Sequence, residues 1–356
     1  MTVLGIETSC DETSAAVVRD GREVLSCIVR TQTEHQKHGG VVPEIASRCH
    51  TELLPGIVAE AVAQAGVAWE GVDCVAATRG PGLASSLLVG WEMAKGLAAR
   101  LGKPLVAINH TEAHIHSVFL DPEAPAPREA VPMLALAVSG GHTSFFAIPE
   151  YGRIELVGRT VDDAAGEALD KAAKMLGLGY PGGPIIDKIS RGLVPAPRAF
   201  PEGRVRPQAE TGGLSNELCV SFSGLKTALL NRVQQSPPAD GAAVAQLACD
   251  YQEAVVGALV KRCDRILRGG VRGGAIRYLA CGGGVSLNSR LRVRLAELCA
   301  ERGVRLLLAL PRHCGDNAAM VAGLAGMGRG IQPPESFALD ILPSWAPGAS
   351  ANMNQP

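Results

Sequence analysis

Val3–Val18 has the sequence VLGIETSCDETSAAVV, in which a polar turn separates two short apolar runs. Apolar runs of this length bounded by turn residues predict two paired strands. The stretch Met133–Ile148, MLALAVSGGHTSFFAI, repeats the plan in the second half of the chain. A third strand is predicted after each pair, near Glu23–Arg30 and Ile154–Arg159. The sequence therefore predicts one strand-turn-strand unit that is used twice.

The two halves also continue alike. In each half a helix follows, then a buried strand that ends in a Gly-rich loop, a second helix and a last strand; the two buried strands begin at Cys74 and Tyr278. Residues 121–132 contain four prolines and are typical of a linker. The predicted domains are an N-terminal lobe over residues 1–126, a C-terminal lobe over 131–330 with an insertion at about 192–223, and a loosely ordered tail over 331–356.

Composition limits the class of protein. With 356 residues, 47% hydrophobic and 4% aromatic, the chain can bury two cores made mainly of aliphatic side chains. It has neither an apolar run near the ~18 residues of a membrane span nor a basic segment leading into one at its start. The ten cysteines are never closer than 14 residues, which excludes a Cys-x-x-Cys motif. We expect a cytoplasmic protein with reduced thiols and no membrane partner.

Charge is unevenly distributed along the chain. Residues 1–186 hold 14 Lys and Arg against 22 Asp and Glu, whereas residues 187–356 hold 20 against 13. The basic residues of the second half concentrate in Arg198–Arg206, Lys261–Arg272 and Arg290–Arg294. Such clusters could neutralise a phosphate backbone, but they could also be the solvated faces of amphipathic helices. The second half therefore permits nucleic-acid binding without requiring it.

Two strand-to-helix corners carry candidate metal ligands. His110 and His114 follow an apolar run at helical spacing, so both imidazoles lie on one face. Asp316 follows the apolar run Leu306–Leu310 at a similar corner in the second half. Two imidazoles and a carboxylate suit Fe(II) or Zn(II) with positions left open for substrate. The histidines alone could be ordinary helix residues, but the carboxylate favours one ion held between the two lobes.

Two other classes of enzyme remain as alternatives. A metalloprotease of the His-Glu-x-x-His type needs its base one residue after the first ligand. Here Glu112 comes two residues after His110, about 200° around the helix, which argues against that chemistry. An actin-like ATPase or sugar kinase is the other alternative, suggested by the duplicated plan; a kinase would not need the histidine pair.

Three Gly-rich turns in the second half could bind phosphate. Glycine lets backbone N–H groups approach phosphate oxygens, because no Cβ stands in the way. None of the turns is a Walker A loop or a full dinucleotide motif, and each alone is typical of an ordinary tight turn. The turns are Ser139–Gly141, Tyr180–Pro184 and Gly282–Ser286, and the polar residues near them are Asp170, Asp187 and Asn288. Together they make an adenine nucleotide a plausible ligand.

Seven motifs in the same order along residues 1–330 carry a specific resemblance. They are Gly5–Thr13 (GIETSCDET), Gly39–Glu44 (GGVVPE), Val138–Thr143 (VSGGHT), Asp162–Lys171, Tyr180–Pro184, Ser221–Lys226 (SFSGLK) and Asp316–Met320 (DNAAM). The chain thereby resembles the TsaD family of tRNA N6-adenosine threonylcarbamoyltransferases, once described as glycoproteases. The resemblance implies a two-lobe actin-like (ASKHA) α/β fold, a duplicated RNase H-like unit with a metal and nucleotide cleft between the lobes.

The resemblance also implies a reaction. Family members transfer the threonylcarbamoyl group from threonylcarbamoyl-AMP to N6 of adenosine 37 in tRNAs that read codons starting with A, and AMP is released. One divalent ion, Fe(2+) or else Zn(2+), is implied on His110, His114 and Asp316. The implied adenylate contacts are Ala137, Val138, Ser139, Gly140, Gly141, Asp170, Gly183, Asp187 and Asn288.

Further expectations concern a proton acceptor and protein partners. Asp11 or Glu12 could accept the proton of the adenine amine, although both could equally serve to satisfy amides of their turn. The resemblance implies a TsaB-like dimerisation partner and a TsaE-like ATPase, and helix 44–65 is a candidate surface for a partner. The chain departs from common family patterns at Asn109, Ala113 and Gly315, which leaves the ligands intact but changes their surroundings.

Overall fold

The structure, a computed structural model, describes residues 1–35, 40–270, 274–333 and 335–348. It forms two compact units, unit 1 from Met1–Ala126 with Ala309–Pro356 and unit 2 from Pro127–Leu308. Each unit contains a five-stranded mixed sheet. The predicted α/β fold with a repeated plan is confirmed. Three parts of the sequence-based interpretation lie outside the described residues: Gly39 of one family motif, Arg272 of one basic cluster, and residues 349–356 of the tail.

The strands are β1 (Thr2–Glu7), β2 (Glu12–Arg19), β3 (Glu23–Thr31), β4 (Cys74–Gly80), β5 (Leu105–Asn109), β6 (Met133–Val138), β7 (Thr143–Ile148), β8 (Glu155–Arg159), β9 (Tyr278–Gly282) and β10 (Arg305–Leu308). The helices are α1 (Pro43–Gln64), α2 (Ala84–Leu101), α3 (His110–His116), α4 (Ala165–Met175), α5 (Gly182–Ile189), α6 (Ser223–Gln235), α7 (Gly241–Gly269), α8 (Ser289–Arg302), α9 (Ala318–Gly326) and α10 (Glu335–Ala338).

The sheet of unit 1 has the order β3-β2-β1-β4-β5. Strands β1, β2 and β3 are antiparallel neighbours, whereas β4 and β5 run parallel to β1. Side chains from α1 and α2, including Leu54 and Trp91, cover one face, and α9 covers the other. Because the carboxyl ends of parallel strands meet at one edge, the residues after β1, β4 and β5 are brought together there.

Helix α9 packs within unit 1, although it comes after all of unit 2 in the chain. It is apolar almost throughout and buried, and it lies against β1 and β2. Gly5 of β1 makes this approach possible, since a Cβ there would lie 2.5 Å from the carbonyl oxygen of Ala318. This differs from the expected second lobe over 131–330, because the apolar surface that completes the sheet of unit 1 comes from residues after 309.

The described part of the tail is packed rather than loose. Ile331 forms a bridge with Ala107 at the start of this segment. Further along, the indole N–H of Trp91 donates to the carbonyl of Leu339 at 3.1 Å, and Trp345 is buried. Residues 331–348 thus differ from the expected loosely ordered tail, because their contacts are made with residues far away in sequence.

Unit 2 repeats the sheet plan with the order β10-β9-β6-β7-β8. Strands β6, β7 and β8 are antiparallel neighbours, and β9 and β10 continue the sheet in parallel on the other side of β6. Helices α4 to α8 supply the rest of one large core, in which Phe145, Phe222 and Tyr251 are buried. The predicted hairpin Met133–Ile148 is therefore confirmed as β6 and β7 with the turn between them.

A buried arginine anchors the insertion near 192–223. Arg262 on α7 is 2% exposed, and its guanidinium donates to the carbonyls of Glu202, Gly203 and Cys219 at 2.7–3.1 Å. Its charge is thus solvated by backbone dipoles in place of water.

Within the described residues no helix has the length and apolar character that crossing a membrane requires. All ten cysteines are free thiols.

Candidate metal centre

The end of β5 and the first turn of α3 fix the two histidines. The side chain of Asn109 caps α3 by accepting the backbone N–H of Glu112 at 3.0 Å, which starts the helix at His110. One helical turn then brings His114 beside His110, with the two rings edge to face and their centroids 4.6 Å apart. The predicted pair on one helix face is confirmed.

The start of α9 fixes the carboxylate. Asn317 caps this helix by accepting the backbone N–H of Met320 at 3.1 Å. The backbone N–H of Ala318, the first residue of the helix, donates to Ser14 Oγ on β2 at 2.9 Å. These two bonds tie the corner to the sheet of unit 1 and place Asp316 two residues before the first residue of the helix.

The three side chains converge within unit 1. Asp316 Oδ1 lies 2.9 Å from His114 Nε2 and 3.7 Å from His110 Nε2. Each of the three residues offers one possible ligand atom, and these three atoms all lie within 4.8 Å of one another. Ligand atoms around an ion with bonds of about 2.0–2.2 Å stand about 3–4 Å apart, so the set fits a single divalent ion. The ligands do not come one from each lobe, as expected from their places in the sequence, because α9 belongs to unit 1.

Glu7 is a site residue that the sequence did not single out. It ends β1, is fully buried, and places its Oε2 at 3.1 Å from His110 Nδ1. Its own oxygens accept from the Thr78 hydroxyl at 2.5 Å and the Ser9 backbone N–H at 2.6 Å. The available signal was an acidic residue at the end of an otherwise apolar strand, directly before the polar turn.

The charges of these groups depend on one another. Burial disfavours a charged ring at His110, but Glu7 and Asp316 outweigh it and raise the pKa of His110 to about 9. Burial would raise the pKa of Glu7, and the adjacent His110 reverses this, so that the pKa of Glu7 is lowered. A metal ion bound through His110 would have to displace a proton from its ring.

The turn after β1 places more carboxyl groups near Asp316. Glu12 begins β2, and burial, followed by the charges of Asp316 and Asp11, raises the pKa of Glu12 to about 10. Its carboxyl is therefore neutral at neutral pH. The backbone carbonyl of Asp11 accepts from the backbone N–H of Gln32 at 3.0 Å, which holds the turn against the chain after β3.

Glu112 does not face the two histidine ligands. Its carboxylate accepts two hydrogen bonds from Arg329, at 2.8 and 3.1 Å. This agrees with the orientation expected from helical spacing and removes the base that a His-Glu-x-x-His protease would use.

In unit 2, glycines bring three backbone segments close together at the end of β6. A Cβ on Gly166, in the first turn of α4, would lie 2.8 Å from the Cα of Gly140 in the β6–β7 turn. A Cβ on Gly283 would lie 2.3 Å from the carbonyl oxygen of Val138. Gly140 and Gly141 are themselves exposed. Ala137 and Val138 are buried in β6.

The polar residues predicted to contact a nucleotide also make hydrogen bonds that stabilise the local structure. Asp170 Oδ1 accepts the backbone N–H groups of Gly182 and Gly183 at 2.7 and 3.1 Å, at the start of α5. Asp187 Oδ1 accepts the hydroxyl of Ser289 at 2.7 Å, and the Asn288 side chain caps α8. Asp170 thus joins α4 to the start of α5, and Asp187 joins α5 to the start of α8, so any ligand would meet these side chains already held in place.

Comparison with known proteins identifies the family. The profile of TsaD, tRNA N6-adenosine threonylcarbamoyltransferase, matches residues 23–323. The chain belongs to the TsaD family. It is 46% identical over 346 residues to a tRNA N6-adenosine threonylcarbamoyltransferase of Geobacter sp. strain M21, covering 97% of this chain and 96% of the relative. It is 47% identical over 349 residues to the protein of that name from Anaeromyxobacter dehalogenans strain 2CP-C, covering 96% and 98%.

Solved structures with low sequence identity share the fold of this TsaD family member. The HypF protein of T. kodakarensis superimposes with a TM-score of 0.58 at 13% identity, over 92% of this chain and 48% of that one. Component A of (R)-2-hydroxyglutaryl-CoA dehydratase from Acidaminococcus fermentans gives 0.52 at 13% identity, over 92% and 98%. These likenesses confirm the predicted actin-like fold class, and family membership confirms the prediction of a transferase.

Proposed function

We propose that this protein transfers the threonylcarbamoyl group from threonylcarbamoyl-AMP to N6 of adenosine 37 in tRNAs that read codons starting with A, and releases AMP. The observation that carries the proposal is the convergence of His110, His114 and Asp316 within 4.8 Å in a member of the TsaD family. A cytoplasmic location, where tRNA is modified, stays a prediction.

The proposed ion is Fe(2+), with Zn(2+) as the second choice, as the family resemblance implies. Two imidazoles and one carboxylate leave coordination positions open, and both metals accept these ligands. When bound, such an ion supplies a Lewis acid that polarises a carbonyl or holds a carboxylate of the substrate. His110, His114 and Asp316 would hold it, and Glu7 would orient His110.

The adenylate part of the donor is proposed to contact unit 2. The backbone from Ala137 to Gly141 offers exposed glycines beside the start of α4, a favourable place for a phosphate. Gly183, at the start of α5, is proposed as a further contact of the adenylate. Asp170, Asp187 and Asn288 are proposed to bond the ribose and base. The carboxylate of Asp170 suits ribose hydroxyls because it accepts hydrogen bonds.

The bonds exchanged are those of an acyl transfer. The N6 amine of adenosine attacks the carbamoyl carbon, a new N–C bond forms, and the bond from that carbon to the phosphate oxygen of AMP breaks. The amine must lose one proton, and Asp11 or Glu12 is proposed to accept it.

The surfaces suggest where partners bind. Leu53 on α1 and Leu88 on α2 are 41% and 45% exposed, which supports α1 as part of the surface for a TsaB-like protein. A TsaE-like ATPase is the second proposed protein partner. The excess of basic residues in the second half supports contact with the tRNA backbone.

A reconstituted reaction tests the proposal. Protein, TsaB-like and TsaE-like partners, threonylcarbamoyl-AMP and unmodified tRNA are incubated, and the digested nucleosides are analysed by mass spectrometry. We expect the modified adenosine with the wild-type protein, none with a tRNA carrying guanosine at position 37, and a loss of more than about 100-fold for Asp316→Ala. The matched control is Glu112→Gln, which alters a buried carboxylate that does not face the ligands and should retain activity.

Two outcomes would favour the alternatives. Peptide cleavage that a chelator abolishes would indicate a metalloprotease, and rapid metal-dependent release of phosphate from ATP would indicate an actin-like ATPase. Failure of the wild-type protein to form modified adenosine with all partners present would contradict the proposed reaction.

A further inference from the structure

The two ring nitrogens of His110 face different groups. Nε2 points towards Asp316, whose Oδ1 lies 3.7 Å away. On the other side of the ring, Nδ1 lies 3.1 Å from Glu7 Oε2 and 3.1 Å from Ser9 Oγ. A histidine can bind a metal through Nε2 only when that nitrogen carries no proton, so the hydrogen bond at Nδ1 decides whether the ring can act as a ligand.

Glu7 can act only as a hydrogen-bond acceptor at this position. An ionised carboxylate has no donor, whereas the hydroxyl of Ser9 can either donate or accept. Both oxygens of Glu7 are already approached by donors, since Oε2 accepts from Thr78 and Oε1 from the Ser9 backbone. The carboxylate is therefore held in one orientation inside a fully buried site.

Folding alone does not explain a carboxylate at this place. The neighbouring residues of β1 on the same face, Val3 and Gly5, pack against the apolar helix α9. A buried carboxylate costs free energy unless it is paired and hydrogen-bonded. Among its hydrogen-bond partners in the described residues, Ser9, Thr78 and His110, it is His110 that is a candidate metal ligand.

We infer that Glu7 is the positioning residue for the metal ligand His110: it accepts the Nδ1–H and so keeps the lone pair of Nε2 directed at the ion. The inference rests on the proposed metal at this site. His114 differs, because among the described residues its Nδ1 is buried without a hydrogen-bond partner. Of the two candidate ligands, His110 is thus the one that a described residue holds at Nδ1.

Glu7→Gln tests this role with almost no change in volume. The carboxylate of Glu7 has two oxygens that accept hydrogen bonds. The side-chain amide of the variant has one oxygen that accepts and one NH₂ group that donates. If its NH₂ replaces Oε2, it faces His110 and forces the proton onto Nε2; if the amide flips, the NH₂ opposes the backbone N–H of Ser9. Both orientations contain a mismatch. We expect Zn²⁺ affinity, measured by competition with a chromophoric chelator, to fall about 10–100-fold.

Glu112→Gln is the matched control, because it makes the same substitution at another buried glutamate whose partner is Arg329. It should change Zn²⁺ affinity by no more than about twofold. Ser9→Ala separates the two groups near Nδ1. A loss of affinity in Ser9→Ala together with none in Glu7→Gln would overturn the inference and assign the role to Ser9.

The ring itself provides a second readout. In the Zn²⁺-loaded wild-type protein, ¹⁵N NMR should show His110 protonated at Nδ1 and bound through Nε2. Glu7→Gln should reduce or shift this signal more than Glu112→Gln does, which a purely structural role would not predict. If Glu7→Gln does not fold, Glu7→Asp keeps the charge but withdraws it by about 1.5 Å, and should weaken Zn²⁺ binding at least about threefold.

The outcomes separate this inference from the metal site itself. Unchanged Zn²⁺ affinity and an unchanged His110 spectrum in Glu7→Gln, or unchanged affinity in Glu7→Asp, would overturn the role of Glu7 alone. Unchanged affinity in His110→Ala would instead contradict the proposed metal site, and the inference would fail with it.

Discussion

Replacing Gly5 by alanine should disturb the metal centre from a distance. Gly5 lies in the middle of β1, on the face that α9 covers. A methyl group there would lie 2.5 Å from the carbonyl oxygen of Ala318 and 2.8 Å from the Cβ of Ala322. The first distance is about 0.9 Å shorter than ordinary van der Waals contact, which begins near 3.4 Å. The start of α9 must therefore move away from the sheet.

The size of the effect follows from this displacement. Overpacking of a close-packed core costs about 1–3 kcal/mol, which corresponds to a fall of about 2–10 °C in the midpoint of thermal unfolding. Asp316 is two residues before Ala318, and metal–ligand distances tolerate only about 0.2 Å of error. We expect Zn²⁺ affinity to fall about tenfold or more in Gly5→Ala, measured by chelator competition on the folded variant.

Gly56→Ala is the matched control. Gly56 lies in the exposed part of α1, where an added Cβ would meet no atom of the described residues within 4 Å. This variant should stabilise the protein by about 0.5–1 kcal/mol and leave Zn²⁺ affinity unchanged. If Gly5→Ala retained both the unfolding temperature and the Zn²⁺ affinity of the wild-type protein, the argument that α9 packing positions Asp316 would be refuted.

Three further predictions concern other parts of the molecule. Burial and the neighbouring Arg312 lower the pKa of His313 from 6.5 to about 4, so between these pH values the unfolded chain binds a proton that the folded protein does not. The contribution of His313 to the free energy of unfolding should therefore be complete above about pH 6.5 and fall towards pH 4. In urea unfolding, His313→Asn should flatten this pH dependence. Trp345→Ala removes a buried ring beside the Arg79 guanidinium and should cost about 3–5 kcal/mol in denaturant unfolding, whereas a cost below about 1 kcal/mol would mean that the tail does not support unit 1. Asp170→Ala should weaken AMP binding about tenfold or more in calorimetry and leave Zn²⁺ affinity unchanged, and equal AMP affinity in the two proteins would remove Asp170 from the nucleotide contacts.

Local patterns predicted much of the fold. The polar turns between apolar runs marked the hairpins β1–β2 and β6–β7, because strand periodicity and turn residues act over a few positions. The spacing of His110 and His114 predicted their shared face for the same reason, since one helical turn fixes it.

Contacts between distant parts of the chain could not be predicted in the same way. Nothing in the order of residues indicates that α9 completes the sheet of unit 1, because an apolar helix could cover either sheet. The packing of the tail likewise depends on surfaces made by α2 and β5. Glu7 was visible only as an acidic residue in an apolar strand, and its role depends on His110, which is 103 positions away.

Metal titration of the transfer reaction tests the central claim most directly. Protein depleted of metal is mixed with partners, threonylcarbamoyl-AMP and tRNA, and the amount of modified adenosine formed in one turnover is measured as Fe²⁺ is added. The account predicts little product without metal, a linear rise, and a plateau at one ion per chain, with Asp316→Ala remaining near the starting level. Full product from metal-depleted wild-type protein, or a plateau unaffected by Asp316→Ala, would contradict the account.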